Sequence, residues 1–182
     1  MNLHATISQS LIRSAGDVFS TMLGSELTGA EVTIEKTACG SVGKEPEATD
    51  GVVSFIGIAG SWAGTGSVTC SPAMACKVCA AMLMTEATAI NEDVLDAVAE
   101  LTNMIIGSVK TELENELGPL GLSIPTVVFG RNFKTRSAGT AEWTHVRFLW
   151  DGEPLLVKMC LAPAEKPHVV HHAGNPTCAL EV

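Results

Sequence analysis

Apolar residues recur at helical spacing near the start of the chain. Ile7, Leu11, Ala15 and Val18 stand three or four residues apart, and Gly24 follows them. This spacing places the apolar side chains on one face of a helix, and glycine commonly follows a helix's last turn. The pattern therefore predicts a first helix over residues 6–23.

Six segments are predicted to be strands, and one of them, EVTIEKT, alternates apolar and polar residues as a half-buried strand does. Glycines in GSWAG and the pair Asp151-Gly152 favour tight turns, so four of the strands are expected to form two hairpins. Residues 38–50 contain Gly, Pro and mixed charges and are predicted to form a loop, and periodicity ends at Pro163. The strands are EVTIEKT, residues 51–59, residues 64–70, SIPTVVFG, EWTHVRFLW and PLLVKMCLA.

Two further helices have clear boundaries. Ser71-Pro72 suits a helix start, and that helix is predicted to reach about Met84. Asn91 can cap the next helix, which Gly118-Pro119 ends. Between those marks lie about 27 residues, on the order of 40 Å of helix at 1.5 Å per residue. We expect this long helix to be a central element.

The predicted elements repeat in order: helix, strand, hairpin, then a linking helix, then helix, strand and hairpin again. DVFSTMLGSEL and AELTNMIIGSV support a duplication and align Thr21 with Asn103. The predicted fold class is α/β in the broad sense, more narrowly α+β, with a mainly antiparallel sheet packed against two long helices. We assign one domain to residues 1–162 and expect residues 163–182 to be a flexible C-terminal tail.

Composition and charge narrow the functional classes. Apolar residues make up 46% of the chain and charged residues 17%, which is typical of a protein with a generous core. The net charge of −9 disfavours binding to nucleic acid or to an anionic membrane surface. The N-terminus lacks the features of a signal peptide, so a cytoplasmic location is expected.

Six cysteines leave a choice of interpretation. Cys76 and Cys79 form CKVC, but no second ligand pair accompanies them as a zinc site needs. The motif also lies within an Ala-rich helical segment, whereas a thioredoxin-like motif opens a helix after a strand. We interpret the cysteines as small buried apolar residues, with metal binding and redox chemistry as the less favoured alternatives.

Four residues of the long helix form a narrow stripe. At about 100° per residue, Asp96, Glu100, Asn103 and Gly107 fall within roughly 60° of one another. An exposed acidic pair is usually only a solubilising face. Asn103, however, is a poor residue for a helix interior, and Gly107 costs about 1 kcal/mol relative to alanine while leaving room for another surface. The stripe is therefore a candidate site.

The same helix repeats the spacing once more. Ser108, Glu112 and Asn115 match the pattern, but Glu112 lies beside the apolar arc and Asn115 is well off the first stripe. We interpret this second match as accidental.

At these residues the chain resembles the chemotaxis phosphatase family that includes CheC, CheX and FliY. The family's signature is Asp or Ser, three residues, Glu, two residues, Asn, and a proline downstream. Asp96-AVA-Glu100-LT-Asn103 fits it, and Pro125 stands one residue earlier than the usual spacing. The resemblance extends to the first helix and both hairpins, over residues 4–162.

The resemblance also indicates a branch. CheC-like members usually carry the signature on both symmetry-related helices, whereas the first helix here has Ser14, Val18 and Thr21 at the matching positions. The chain is therefore most similar to the single-site, CheX-like branch, in which subunits pair through their sheets. A homodimer with one site per chain is expected.

The resemblance implies an aspartyl-phosphate phosphatase acting on a CheY-like receiver domain. Asn103 would orient the attacking water, Glu100 would contact the receiver's active-site lysine, and Asp96 and Gly107 would support them. No cofactor or metal is expected in this chain, because the receiver brings its own divalent metal. Two alternatives stay open: a non-catalytic module that docks a receiver or switch component, and a site for a small ligand, which a convex helix suits poorly.

Overall fold

The computed structural model describes residues 2–37, 49–133 and 141–164. Within these residues, three helices pack against one face of a seven-stranded sheet. None of the helices in these ranges is long and apolar enough to cross a bilayer. The helices are α1 (Leu3–Met22), α2 (Pro72–Leu83) and α3 (Glu92–Leu117). The strands are β1 (Thr28–Thr37), β2 (Thr49–Gly60), β3 (Trp62–Cys70), β4 (Leu120–Leu122), β5 (Thr126–Phe133), β6 (Ala141–Trp150) and β7 (Glu153–Pro163).

The sheet is antiparallel at each pairing between these strands. Its order is β1-β6-β7-β3-β2, and both β4 and β5 pair with the outer edge of β2. Each hairpin thus lies beside the single strand of the other half, β1 against β6 and β5 against β2. This exchange is what a duplicated helix–strand–hairpin unit produces, and the predicted α+β fold is confirmed.

Helix boundaries follow their caps. The Asn91 side chain accepts a hydrogen bond from the Val94 amide at 3.0 Å, and the Ser71 hydroxyl accepts one from the Met74 amide at 3.1 Å, both as predicted. Helix α1 begins three residues earlier than expected, because the side chain of Asn2 caps it.

Turn chemistry was also predicted correctly. Asp151 and Gly152, with φ of 49° and 79°, form the tight turn that joins β6 to β7. Both dihedrals are positive, as a type I′ hairpin turn requires. Gly118, with φ of 81°, ends α3 in a conformation that favours glycine.

The core lies between the sheet and the helices. Val157 and Met159 of β7, Val68 of β3 and Ile105 of α3 are fully buried there. A Cβ at Gly66 would stand 2.8 Å from the side chain of Ile106, so glycine lets α3 approach the middle of the sheet.

Several predicted strand boundaries were wrong, among them the start of β1, which lies at Thr28 instead of Glu31. The strand predicted from residue 123 begins at Thr126, and the short strand β4 before it was not predicted. The predicted loop over residues 38–50 ends earlier, because Thr49 and Asp50 belong to β2. Residues 38–48 and the predicted tail, apart from Pro163 and Ala164, lie outside the described residues.

Strands β4 and β5 are one edge strand interrupted by a bulge. Leu122 pairs with Ile58, and Thr126 pairs with Phe55. Between these pairs β2 contributes two residues and its partner three, so one extra residue is inserted. Pro125 cannot donate a hydrogen bond to the ladder, which explains why the pairing is interrupted there.

Candidate functional site

The stripe predicted on the long helix lies on the face of α3 directed away from the core. Asp96 and Glu100 are exposed, and Asn103 and Gly107 are partly exposed. The opposite face, which includes Val98 and the neighbouring apolar positions, is buried against the sheet. The helix therefore presents a carboxylate and an amide one turn apart to solvent.

The polar side chains of this stripe are free. Across the described ranges, no hydrogen bond or ion pair engages the side chain of Asp96, Glu100 or Asn103. By contrast, Asn115 near the end of the same helix donates to the backbone oxygen of Glu112 at 3.3 Å. The amide of Asn103 can therefore both donate to and accept from an outside molecule.

Gly107 is not required by the packing of the chain itself. A Cβ at this position would meet only the side chain of Leu122, at an ordinary contact distance of 3.8 Å. Alanine would fit and would stabilise a helix interior by about 1 kcal/mol. The missing methyl group instead leaves space on the outer surface beside Asn103.

An ion pair holds β4 against the second half of α3. Lys110 contacts Glu114 at 2.8 Å, and the other oxygen of Glu114 accepts a hydrogen bond from the Leu120 amide at 2.9 Å. The hydrogen bond from Lys110 and then that from Leu120 lower the pKa of the Glu114 carboxyl. The Lys-Glu spacing of four residues was a local signal for the pair, but its link to β4 was not predicted.

The second match to the spacing has a different role. The carboxylate of Glu112 accepts a hydrogen bond from Nε of Arg13 at 2.8 Å, which ties α3 to α1. This contact lowers the pKa of Glu112. The side chain of Glu112 thus points toward α1 and away from the stripe, a contact that its place beside the apolar arc did not by itself predict.

The face of α1 that corresponds to the stripe presents no free polar side chains like those of Glu100 and Asn103. Ser14 and Val18, at the positions of the signature's first residue and of Glu100, are buried. Thr21, at the position of Asn103, donates its hydroxyl to the Asp17 carbonyl at 2.6 Å. The open stripe of α3 therefore has no counterpart on α1, in agreement with the absence of Glu and Asn from its sequence.

The described cysteines fit a packing role. Cys70, Cys76 and Cys79 are buried free thiols, and Cys160 is partly buried. Burial raises the pKa of Cys76 and Cys79 and that of Cys70 to about 12, which keeps these thiols protonated. Cys39 and Cys178 lie outside the described residues. In the ranges that the structure describes, no group of three metal-ligating side chains is present.

Two hollows lie away from the stripe. One, of about 440 Å³, opens on the sheet between β1, β6, β7 and β3 and includes Arg147 and Glu31. The other, of about 450 Å³, lies between α2 and residues 87–90. Neither includes Glu100 or Asn103, so neither hollow brings a small ligand to the stripe.

Comparisons with known proteins point to one family. The family model for the chemotaxis phosphatase CheX matches residues 52–149. The CheY-P phosphatase CheX of Thermotoga maritima is 32% identical over 138 residues, covering 75% of this chain and 84% of the relative.

Solved structures share the fold. The chemotaxis protein CheX from Vibrio vulnificus superposes with a TM-score of 0.72 at 24% identity, covering 89% of this chain and 100% of the other. CheX in the CheX-CheY-BeF3-Mg+2 complex from Borrelia burgdorferi gives a TM-score of 0.64 at 23% identity, with 84% and 96% covered.

Proposed function

Because this chain belongs to the chemotaxis phosphatase CheX family, we propose that it hydrolyses the aspartyl phosphate of a CheY-like receiver domain. The Thermotoga maritima relative, a CheY-P phosphatase, supports this activity. The observation that carries the proposal for the site is the stripe on α3, where Glu100 and Asn103 stand one turn apart, face solvent and pair with none of the described residues.

Hydrolysis of an aspartyl phosphate requires little from a second protein. An aspartyl phosphate is a mixed anhydride and already labile, so a second protein need not supply a nucleophile. Holding a water in line with the phosphorus lowers the barrier by orientation alone. Asn103 is proposed to hold that water through its amide, and Glu100 to contact the receiver's active-site lysine. Asp96, one turn before Glu100, is proposed to support local geometry.

We propose that this chain needs no cofactor of its own. The divalent metal that neutralises the phosphoryl group would belong to the receiver. A chelator applied to the phosphatase in the absence of the receiver should therefore remove no metal ion from it.

Phosphate release from a panel of phosphorylated receivers tests the function. The protein should accelerate release from at least one receiver well above that receiver's own rate, at catalytic amounts. A non-catalytic docking module, the alternative, would bind a receiver without accelerating release. Free Glu100 and Asn103 side chains favour the enzyme, because docking alone does not require a mid-helix asparagine.

The second spacing match provides a prediction for residues outside the site. Asn115→Ala should retain full phosphatase activity, because Asn115 lies well off the stripe and, among the described residues, its side chain bonds to its own helix. Glu112→Gln should also keep kcat, with some loss of stability as the ion pair to Arg13 is weakened. Phosphate-release kinetics and thermal melting check both variants. Variants that fold but are inactive would place the site at Glu112 and Asn115 instead of Glu100 and Asn103.

We further propose a homodimer that pairs through the edge of the sheet at β1. Among the described strands, β1 pairs only with β6, and its Val32 and Ile34 side chains are 42% and 54% exposed. Such an apolar edge favours pairing with another strand. The α3 stripe would remain open, because the edge β1 lies at the end of the sheet opposite to β5.

Light scattering should give about twice the 19.0 kDa chain mass, and a phosphate-mimic receiver should saturate near one per chain. Ile34→Lys should shift the mass toward the monomer, because it adds a charge to the edge. The matched variant Gln9→Lys, on the exposed side of α1, should remain dimeric. A wild-type chain that stays monomeric at high concentration would rule out the dimer and leave the α3 assignment unaffected.

A further inference from the structure

One large apolar side chain is held in solvent at the bulge between β4 and β5. Ile124 is 87% exposed, although branched apolar residues of its size are usually buried. Its neighbour Leu122 points toward α3 and packs beside Gly107. The bulge removes Ile124 from the ladder, and bulges often redirect side chains next to functional sites.

Three hydrogen bonds fix the backbone on which Ile124 stands. The Ser123 amide donates to the Gly57 carbonyl at 2.9 Å, and the Gly57 amide donates to the Ser123 hydroxyl oxygen at 2.8 Å. The same hydroxyl donates to the carbonyl of Ile124 at 2.9 Å. An exposed loop with no function has little need of such anchoring, whereas a contact residue gains affinity when its position is fixed in advance.

The bulge is continuous with the α3 stripe. Leu122 lies against Gly107, which is one turn along the helix from Asn103. Lys110 and Glu114 hold the start of β4 on the same helix, so β4 and α3 form one rigid surface. Ile124 follows Leu122 by two residues, at most about 7 Å of extended chain.

The stripe alone is too small to hold a protein partner. A specific interface buries about 800 Å² on each partner, a patch roughly 30 Å across, and its affinity is concentrated in a few well-placed apolar or aromatic anchors. Glu100, Asn103 and Gly107 occupy two turns of one helix and supply no such anchor. Ile124 is an exposed apolar residue two positions from Leu122, which lies against Gly107.

We propose that Ile124 is a docking residue for the phosphorylated receiver, making an apolar contact with it next to the α3 stripe. This inference rests on the proposed function, because the occupant is the receiver on which Asn103 acts. Ile124 contributes to association and to the choice of receiver, and it takes no part in the hydrolytic step.

Kinetics and binding of Ile124→Ala test the proposal. The KM for the phosphorylated receiver should rise about five- to tenfold, with kcat changed less than about twofold, because the contact is equally present before and in the transition state. The Kd for a receiver carrying BeF3 and Mg2+ should rise by the same factor. Ile124→Val should keep most of the wild-type affinity, since it retains most of the apolar surface.

A matched control removes the same kind of side chain elsewhere. Leu149 is 39% exposed on the sheet face directed away from the helices, and Leu149→Ala should leave KM and Kd unchanged. Unchanged KM and Kd in Ile124→Ala would overturn the proposal. A change in oligomeric mass with unchanged receiver affinity would also overturn it, because Ile124 would then act in self-association.

The two hypotheses fail in different ways. If the wild type binds the receiver without hydrolysing its phosphate, the proposed activity is wrong, and the Kd of Ile124→Ala still decides the docking role. If the wild type hydrolyses the phosphate and Ile124→Ala matches it in KM and Kd, only the docking role is wrong. A wild type that neither binds nor hydrolyses overturns both.

Discussion

Asn103→Ala should reduce kcat for receiver dephosphorylation by on the order of a hundredfold, while leaving receiver binding nearly intact. The amide holds a water that matters mainly in the transition state, so its loss changes the rate more than the affinity. Phosphate-release kinetics measure kcat, and titration with a receiver carrying BeF3 and Mg2+ measures Kd. A change in Kd of less than about threefold is expected.

Asn103→Asp separates water orientation from base catalysis. Aspartate is the stronger base and matches asparagine in shape, but it cannot donate a hydrogen bond when ionised, and its charge opposes the phosphoryl group. If Asn103 orients water, this variant is as inactive as Asn103→Ala. Activity restored by aspartate would instead indicate a general base at this position.

Asn115→Ala is the matched control on the same helix. It removes an identical side chain from a position off the stripe, so it should retain wild-type kcat. Asn103→Ala should be at least as stable as the wild type, because alanine is the better helix former by roughly half a kcal/mol. Equal turnover by Asn103→Ala and wild type would contradict the assignment.

Local chemistry made much of the fold predictable. The caps Asn91 and Ser71, the stop at Gly118 and the turn at Asp151-Gly152 act over a few residues, and each lies where the sequence indicated. The stripe on α3 was predictable from local sequence as well, because helical periodicity alone decides which side chains share a face. The start of α1 was not predicted, because the apolar periodicity begins only at Ile7, whereas the cap of the helix is Asn2.

Features that depend on distant partners were not predictable in this way. The bulge at Ile124 depends on the register between β5 and β2, and the anchoring of Ser123 depends on Gly57, which is 66 residues away. The pair between Arg13 and Glu112 joins residues 99 apart. Pro125 was a local sign that a regular strand could not begin at residue 123, because proline interrupts a ladder of hydrogen bonds.

The candidate site likewise combines residues that the sequence indicated with a surrounding surface that it did not indicate. Sequence indicated Asp96, Glu100, Asn103 and Gly107, but the rigid surface beside them is built by β4 and by contacts that only the folded chain creates. Asn103 and Gly107 depart from the local preference for good helix formers, and no hydrogen bond or ion pair to another described residue compensates at Asn103. Residues of this kind are expected where function, rather than folding, selects them.

Glu100→Ala should lower kcat/KM by about ten- to a hundredfold and should raise KM and lower kcat together. A carboxylate that contacts a lysine across an interface contributes to association, and it also sets the register in which Asn103 faces the phosphorus. The effect should therefore appear in Kd as well as in turnover, unlike that of Asn103→Ala. Phosphate release over a range of receiver concentrations separates the two parameters.

The dependence of activity on ionic strength provides an independent test of the proposed contact between Glu100 and the receiver's lysine. Wild-type kcat/KM should fall as ionic strength rises, because screening weakens the pair, and Glu100→Ala should show a weaker dependence. Glu116→Ala, which removes an exposed carboxylate from the far end of α3, should match the wild type in activity. A Glu100→Ala variant with reduced kcat but unchanged Kd and unchanged salt dependence would contradict the lysine contact, and would place Glu100 with Asn103 in orienting the water.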